Sequence, residues 1–243
     1  MTQSKTEKIK VISNKLIALN TYKMVFEKQI NAKPGQFINI KLDNHYLRRP
    51  ISISIINEQN FEIIYKIKGQ GTKDLSNIKE NEYLDILYPL GNGFELVENK
   101  NILLIGGGVG IPPLLELYKQ LKNNNEVKLL IGITNLAENA YTEYNPLIAT
   151  IEKSVEFQGN IIQYLKANPQ IKYDYIYSCG PMPMLQAIQE YVKVDGQISI
   201  EERMGCGFGA CMGCSCKTKD NSYKRICVEG PVFKIGELNL NDY

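Results

Sequence analysis

Apolar positions in the first hundred residues fall in short bursts. Lys10–Ile17, Tyr22–Phe26, Phe37–Leu42, Ile51–Ile56, Phe61–Ile67 and Tyr83–Tyr88 are each rich in branched and aromatic side chains. Turn signals separate them, among them Lys33-Pro34-Gly35, Asn57–Asn60 and Gly91-Asn92-Gly93. Strands at roughly 10–15-residue spacing predict a small antiparallel β-barrel or sandwich.

From Lys100 the rhythm changes. Ile102–Ile105 reads as a short buried strand, then come a glycine run and the helical pattern of Leu114, Leu115, Leu117, Tyr118 and Leu121. Val127–Ile133 reads as a second strand, Asn160–Tyr164 as a third and Tyr173–Ser178 as a fourth. A helix over Met182–Val192 and a strand over Gln197–Ile200 follow. Strand alternating with helix predicts an α/β domain with a parallel sheet and right-handed crossovers. Three units are expected: a β-barrel over residues 1–97, an α/β domain over 98–196, and a cysteine-rich tail over 197–243.

Composition sharpens this picture. The chain has 243 residues, with 28 basic and 26 acidic side chains and a net charge of +2. Nucleic acid is a poor partner for so balanced a charge, because phosphate binding leaves a basic footprint. The longest apolar stretch, residues 102–117, is broken by Gly and Pro before the roughly 20 residues a membrane span needs. The polar, lysine-bearing start does not read as a signal peptide, so a cytoplasmic protein is expected. His45 is the single histidine, which excludes mechanisms built on paired imidazoles. Five of the six cysteines lie between Cys206 and Cys227, a crowding that reads as metal ligation rather than disulfide bonding.

Cys206, Cys211 and Cys214 give C-x4-C-x2-C, and Cys227 supplies a distant fourth thiolate. This is the plant-type [2Fe–2S] spacing. Glycines between Gly205 and Gly213 let main-chain amides approach sulfur, and no residue from Met204 to Cys216 is charged. A structural zinc site is the alternative, but zinc favours paired C-x2-C knuckles or histidine ligands. Cys216 is the surplus and could compete with Cys214, but C-x-C places neighbouring thiols on opposite sides of an extended chain, which favours Cys214.

Arg48 and Arg49 are two of only four arginines, and they open the strand Arg49-Pro50-Ile51-Ser52. A planar, permanently charged fork suits a diphosphate in a way lysine does not reproduce. Gly69-Gln70-Gly71-Thr72 follows the strand Phe61–Ile67, with Thr72 expected as the N-cap of a short helix whose N-terminus could receive phosphate oxygens. Further on, Ile105-Gly106-Gly107-Gly108-Val109-Gly110-Ile111-Pro112-Pro113 joins a strand to a helix, removing Cβ atoms where a pyrophosphate must approach. The usual dinucleotide fingerprint is missing: Thr134 and Asn135 follow the second strand, with no acid there to hold a ribose. Ser178-Cys179-Gly180-Pro181 occupies a second strand-to-helix turn, and two such turns at one sheet edge define a crevice.

In this order, with the endings Glu201-Glu202-Arg203-Met204-Gly205-Cys206 and Cys227–Phe233, these motifs resemble the ferredoxin reductase superfamily. More narrowly, the chain resembles the electron transfer subunits of type-B, NAD-dependent dihydroorotate dehydrogenase, essentially end to end. The resemblance implies FAD, with Arg49 at its pyrophosphate and Pro50, Ile51 and Ser52 beside the isoalloxazine. Ile64, Tyr65 and Lys66 would line the flavin, with Gly71 and Thr72 forming a phosphate turn. Gly106, Gly107, Gly108, Gly110, Cys179, Gly180 and Pro181 would frame NAD, and Cys179 and Ser52 would stand at the reacting centre. Cys206, Cys211, Cys214 and Cys227 would bind the [2Fe–2S] cluster. The implied activity is passage of electrons from dihydroorotate oxidation through the cluster and FAD to NAD⁺ in pyrimidine biosynthesis. The implied partner is an FMN-containing dihydroorotate dehydrogenase catalytic subunit, in a heterotetramer of two of each chain, meeting an apolar patch around Phe208 and Met212. A flavin subunit of a hydrogenase, an NADH-dependent acceptor reductase and a zinc-stabilised nucleotide-binding scaffold are the other readings.

Overall fold

The computed structural model describes residues 4–153 and 156–242. Six antiparallel strands close the barrel: β1 (Lys5–Ala18), β2 (Thr21–Phe26), β3 (Phe37–Ile40), β4 (Arg49–Ile56), β5 (Phe61–Lys66) and, after the short helix α1 (Gln70–Ser76), β6 (Tyr83–Leu90). Their order round the barrel is β1-β2-β5-β4-β3-β6. Closure depends on the length of β1, whose first half pairs with β6 and whose second half pairs with β2. Alternate residues point inward, so Phe26, Ile38, Ile40, Ile53, Phe61, Ile63 and Ile86 are fully enclosed, with the Phe26 and Phe61 rings stacked 4.8 Å apart. Each such aliphatic side chain contributes about 1.5–3 kcal/mol when removed from water.

The second layer alternates as its sequence rhythm implies: β7 (Asn101–Gly107), α2 (Pro113–Leu121), β8 (Glu126–Ile133), β9 (Leu147–Thr150), β10 (Phe157–Gln158), α3 (Ile161–Ala167), β11 (Tyr175–Cys179), α4 (Met182–Tyr191) and β12 (Gly196–Ser199). The strands lie in the order β10-β9-β8-β7-β11-β12 and run parallel. Both faces are covered, so Ile102 and Leu104 pack in one cluster and Leu103 and Ile105 in the other.

One expected strand is wrong. Residues 160–164 begin α3 instead. Asn160 Oδ1 accepts the Gln163 N–H at 2.9 Å, and Gln163 Oε1 accepts the Asn160 N–H at 2.8 Å. That reciprocal cap starts a helix, and Ile161 and Leu165, four apart, bury its inner face. The third parallel strand is Leu147–Thr150, a run too short to stand out.

The tail forms the hairpin β13 (Ser215–Lys217) and β14 (Tyr223–Arg225). β15 (Val232–Lys234) then joins the large sheet antiparallel to β12. A shared core unites the three parts: Phe37 and Leu90 from the barrel, Leu185 and Ile198 from the α/β layer, and Cys214, Ile226 and Phe233 from the tail. Polar stitches add direction. Asn92 Nδ2 donates to the carbonyls of Glu229 and Val232, both at 2.8 Å, and its Oδ1 accepts the Val232 N–H at 2.9 Å. Gln197 exchanges two 2.9 Å bonds with the Glu95 main chain. Glu116 on α2, buried, accepts the Ile56 N–H of β4 at 2.8 Å.

Asn92→Ala removes three of these bonds at once and leaves main-chain groups unpaired. A loss of about 1–3 kcal/mol in unfolding free energy is expected. Chemical denaturation checks it, and a loss below about 0.5 kcal/mol, the range of neutral surface changes, contradicts it.

Candidate functional site

The carboxyl ends of β7 and β11 lie side by side, with Gly106 opposite Cys179. This brings the two strand-to-helix turns into main-chain contact. A Cβ on Gly110 would overlap the Cys179 carbonyl and the Gly180 nitrogen, so only glycine allows the turns to pack this closely. Pro112 precedes α2 and Pro113 opens it, where a missing N–H costs nothing.

Two cavities flank these turns. The first, about 210 Å³, is floored by barrel residues Pro50, Ile51, Ser52, Ile64, Tyr65 and Lys66, with Thr72 at its side. Val109 and Cys179 form its back, and Ser199, Ile200, Glu201, Glu202 and Met204 its rim. The second, about 450 Å³, is lined by Gly107, Gly108, Pro181, Met184, Thr134 and Glu138, among others. Lys66, Lys68 and Val109 border both. Gly106, Gly110 and Gly180 are not on either wall; they set the spacing of the turns behind it.

The paired arginines divide their work. Arg48 is structural: it meets the Asp85 carboxylate at 2.8 Å and donates to the Asp85 carbonyl at 3.0 Å, tying β4 to β6. Arg49 stands over the first turn of α1, so close that a Cβ on Gly71 would overlap its Nε. Thr72 is not the N-cap expected from sequence. Gly69 is, and Thr72 sits in the first turn, where its Oγ1 accepts the N–H groups of Lys68 at 2.9 Å and Gly69 at 3.2 Å. A hydroxyl one turn in still satisfies the loop donors, because it reaches back over the helix start. Tyr65 reaches the first cavity with its hydroxyl already given to Asn14 Oδ1 at 2.9 Å. Cys179 is buried, and burial raises its thiol well above the usual range, so it stays neutral.

Three contributors were missed from sequence because their partners are distant in the chain. Glu138 lines the second cavity close to Thr134. Its Oε1 meets Lys66 Nζ at 2.6 Å, and its Oε2 accepts the Thr134 N–H at 3.3 Å. Lys68 stands at the mouth between the cavities. Glu201, visible in the Glu-Glu-Arg-Met motif but without an assigned role, walls the first cavity from a solvent-exposed position.

The rim runs directly into the cysteine loop. There the Ala210 and Cys211 N–H groups donate to Cys206 Sγ at 3.2 and 3.4 Å, and the Cys206 and Gly213 N–H groups to Cys211 Sγ, both at 3.5 Å. Burial opposes charge on Cys206, but N–H groups of Phe208, Cys211 and Ala210 bring its thiol down to about 6. Cys227, pushed up to about 12 by burial, pairs with Cys214. The thiols thus form two pairs, 206 with 211 and 214 with 227. Among the described residues no three His, Cys, Asp or Glu side chains gather as one ion's ligands would. Two adjoining all-sulfur pairs with amides aimed at sulfur fit a two-iron cluster. Cys216 is turned away, its thiol donating to the Lys224 carbonyl at 3.1 Å. Arg225 braces the loop, donating to the Gly209 carbonyl at 3.0 Å while paired with Glu229. Phe208 and Met212 at its tip are 56% and 55% exposed.

Residues 201–239 match the family described as the iron–sulfur cluster binding domain of dihydroorotate dehydrogenase B. The chain is 41% identical to the dihydroorotate dehydrogenase B (NAD(+)) electron transfer subunit of Caldanaerobacter subterraneus subsp. tengcongensis, over 95% of this chain and 97% of that one. The protein of the same name from Fusobacterium nucleatum is 40% identical over 97% and 99%. Among solved structures, the NADH-dependent reduced ferredoxin-NADP oxidoreductase superposes with a TM-score of 0.88 at 25% identity, covering 97% of this chain and 91% of its own. A ferredoxin NADP⁺ reductase from Neisseria gonorrhoeae, with FAD and NADP bound, shares the fold at a TM-score of 0.62 and 16% identity, over 75% and 88% of the two chains. No helix among the described residues is long and apolar enough to cross a membrane.

Two outcomes are expected. Gly110→Ala forces the turns apart and should cost about 1–3 kcal/mol of stability. It should also weaken NAD⁺ binding, read by thermal unfolding and ligand titration; an unchanged midpoint and affinity would be inconsistent with the contact. Cys214→Ser should lose iron while Cys216→Ser retains it. Equal iron content in the two purified variants contradicts the pairing.

Proposed function

This chain belongs to the electron transfer subunits of dihydroorotate dehydrogenase B (NAD(+)), and we propose that it carries electrons from dihydroorotate, oxidised at FMN in a partner catalytic subunit, to NAD⁺ for pyrimidine biosynthesis. The observation that carries this reading is the continuity of three sites: one cavity has a barrel floor, a back wall shared with the glycine-turn cavity, and a rim that becomes the cysteine loop. Bound there, a [2Fe–2S] cluster moves electrons singly and FAD passes them on as a hydride, so the hard chemistry is the cofactors' own.

The protein's part is placement. Arg49 offers its guanidinium to the FAD diphosphate, and Ile51 and Ser52 lie along the ring system, with the Ser52 hydroxyl free to meet a ring heteroatom. Pro50, Ile64, Tyr65 and Lys66 complete that bed, and Gly71 and Thr72 shape the phosphate turn. Gly107, Gly108 and Pro181 admit NAD, held at its proper distance by Gly106, Gly110 and Gly180. Val109 separates the two cavities and excludes water from the gap a hydride must cross. Cys179 packs behind the nicotinamide as a neutral thiol, and Glu201 stands on the wall of the flavin cavity. Alignment, rather than an acid–base pair, is the main contribution such a transfer needs.

Cys206, Cys211, Cys214 and Cys227 supply the cluster's thiolates. The exposed Phe208 and Met212 place that end of the molecule against the catalytic subunit, in an assembly of two chains of each kind. Six cysteines with no disulfide between them suit work in the cytoplasm.

Purified with FAD, iron and sulfide, the chain should show flavin and iron–sulfur absorption bands. Mixed with a dihydroorotate dehydrogenase catalytic subunit, it should make NAD⁺ reduction dependent on dihydroorotate. A coloured protein that reduces other acceptors with NADH, yet never couples to dihydroorotate, would assign it to another complex. A colourless, metal-loaded one would end the redox reading.

A further inference from the structure

We propose that His45 is a positioning residue that holds the Arg49 guanidinium ready for a diphosphate while leaving its charge uncancelled; this rests on the flavin site argued above. Arg49 Nη2 lies 2.7 Å from His45 Nδ1. A guanidinium has only donors, so Nδ1 accepts and the ring carries its proton on Nε2. Nε2 lies 2.8 Å from Asp74 Oδ2 and donates to it. Asp74 is fixed in turn, its Oδ1 accepting from Gln70 Nε2 at 2.6 Å, and hydrogen bonds from His45 first and Gln70 second keep its carboxyl below the usual range. Arg49 is held from a second side by the Leu47 carbonyl and rests on Gly71 beneath.

The order of these groups matters. Asp74 in direct contact with Arg49 would form an ion pair, and an incoming diphosphate would have to compete with that carboxylate for the cation. Here a neutral imidazole stands between them. The carboxylate anchors the ring, the ring anchors the guanidinium, and the positive charge stays available. Two of the five guanidinium N–H groups are spent on the protein, which leaves three for an anion. Freezing a long side chain before the ligand arrives spares part of the ordering cost of binding. Arg48, by contrast, meets Asp85 directly and is neutralised there. Of two adjacent arginines, only the one with an imidazole spacer is left to bind.

The test titrates FAD into the flavin-free full-length chain, with Arg49→Ala, His45→Ala, His45→Asn and the double variant His45→Ala/Arg49→Ala, reading affinity by flavin fluorescence. Arg49→Ala should weaken FAD severely, and His45→Ala by about tenfold. His45→Asn should recover most of that loss, because its Oδ1 can replace Nδ1 as acceptor. In the Arg49→Ala background, removing His45 should change affinity less than about twofold, since the residue acts through the arginine. Riboflavin, which lacks the diphosphate, should bind wild type and His45→Ala alike. An equal His45→Ala effect in both backgrounds, an equal loss for riboflavin, or no recovery in His45→Asn overturns the proposal. If His45→Ala binds FAD normally while Arg49→Ala does not, this inference alone falls. If Arg49→Ala also binds FAD normally, the flavin site itself is misplaced.

Discussion

One stretch of main chain, residues 199–206, constrains the whole arrangement. It leaves β12, walls the flavin-sized cavity with Ser199, Ile200, Glu201, Glu202 and Met204, and ends as Cys206 of the thiol loop. From Glu201 to Cys206 is five residues, and extended chain covers at most about 3.3–3.6 Å per residue, so the separation cannot exceed about 18 Å. Groups held against Glu201 and on Cys206 would therefore be tethered within that span. Other features keep that short tether from moving.

The stabilising contacts lie where relative motion would spoil electron passage. Glu116 joins α2 to β4, Gln197 joins β12 to the chain leaving the barrel, and Asn92 joins the end of the barrel to β15. Each bonds a side chain to main chain on another unit, which specifies register as well as contact. The tail's antiparallel addition to the parallel sheet has the same effect. Because β15 pairs with β12 while Cys227 sits five residues earlier, the distant thiolate is delivered by the sheet edge rather than by a free loop. Asn39, buried in the barrel, donates to the Cys206 carbonyl at 3.4 Å and meets the loop from the other side.

The sequence makes some of this legible and hides the rest, for identifiable reasons. Barrel strands with one face inward produce alternation, and the buried strands β7 and β8 produce unbroken apolar runs; both patterns are local. The cysteine spacing is local too. Residues 160–164 mislead because Ile161, Ile162 and Tyr164 have strand-like side chains, whereas the deciding interaction is the Asn160–Gln163 cap. Thr72 misleads by one turn, since a threonine that reaches back looks in sequence like one that caps. Arg48 and Arg49 cannot be told apart in a string of letters: their fates depend on Asp85 and on His45, placed by other elements. Glu138 and Glu201 acquire meaning only when β5 and the thiol loop are folded against them.

The same geometry accounts for the acid groups the cavity tolerates. A site meant for FAD and NAD must accommodate two diphosphates and added electrons, and every uncompensated negative charge on its wall works against both. Cys179, in the back wall of the first cavity, is held by burial in its neutral form. Glu138, which borders the second cavity, has its charge met by Lys66. Asp74 is separated from the Arg49 guanidinium by the His45 imidazole. Cys179, Glu138 and Asp74 are thus kept neutral, paired or screened by three different local devices. Lys68 borders both cavities and Arg49 stands over the first turn of α1, so cations gather at this face although the whole chain carries a charge of only +2. Placement of charge, rather than its amount, is what prepares this surface for nucleotides.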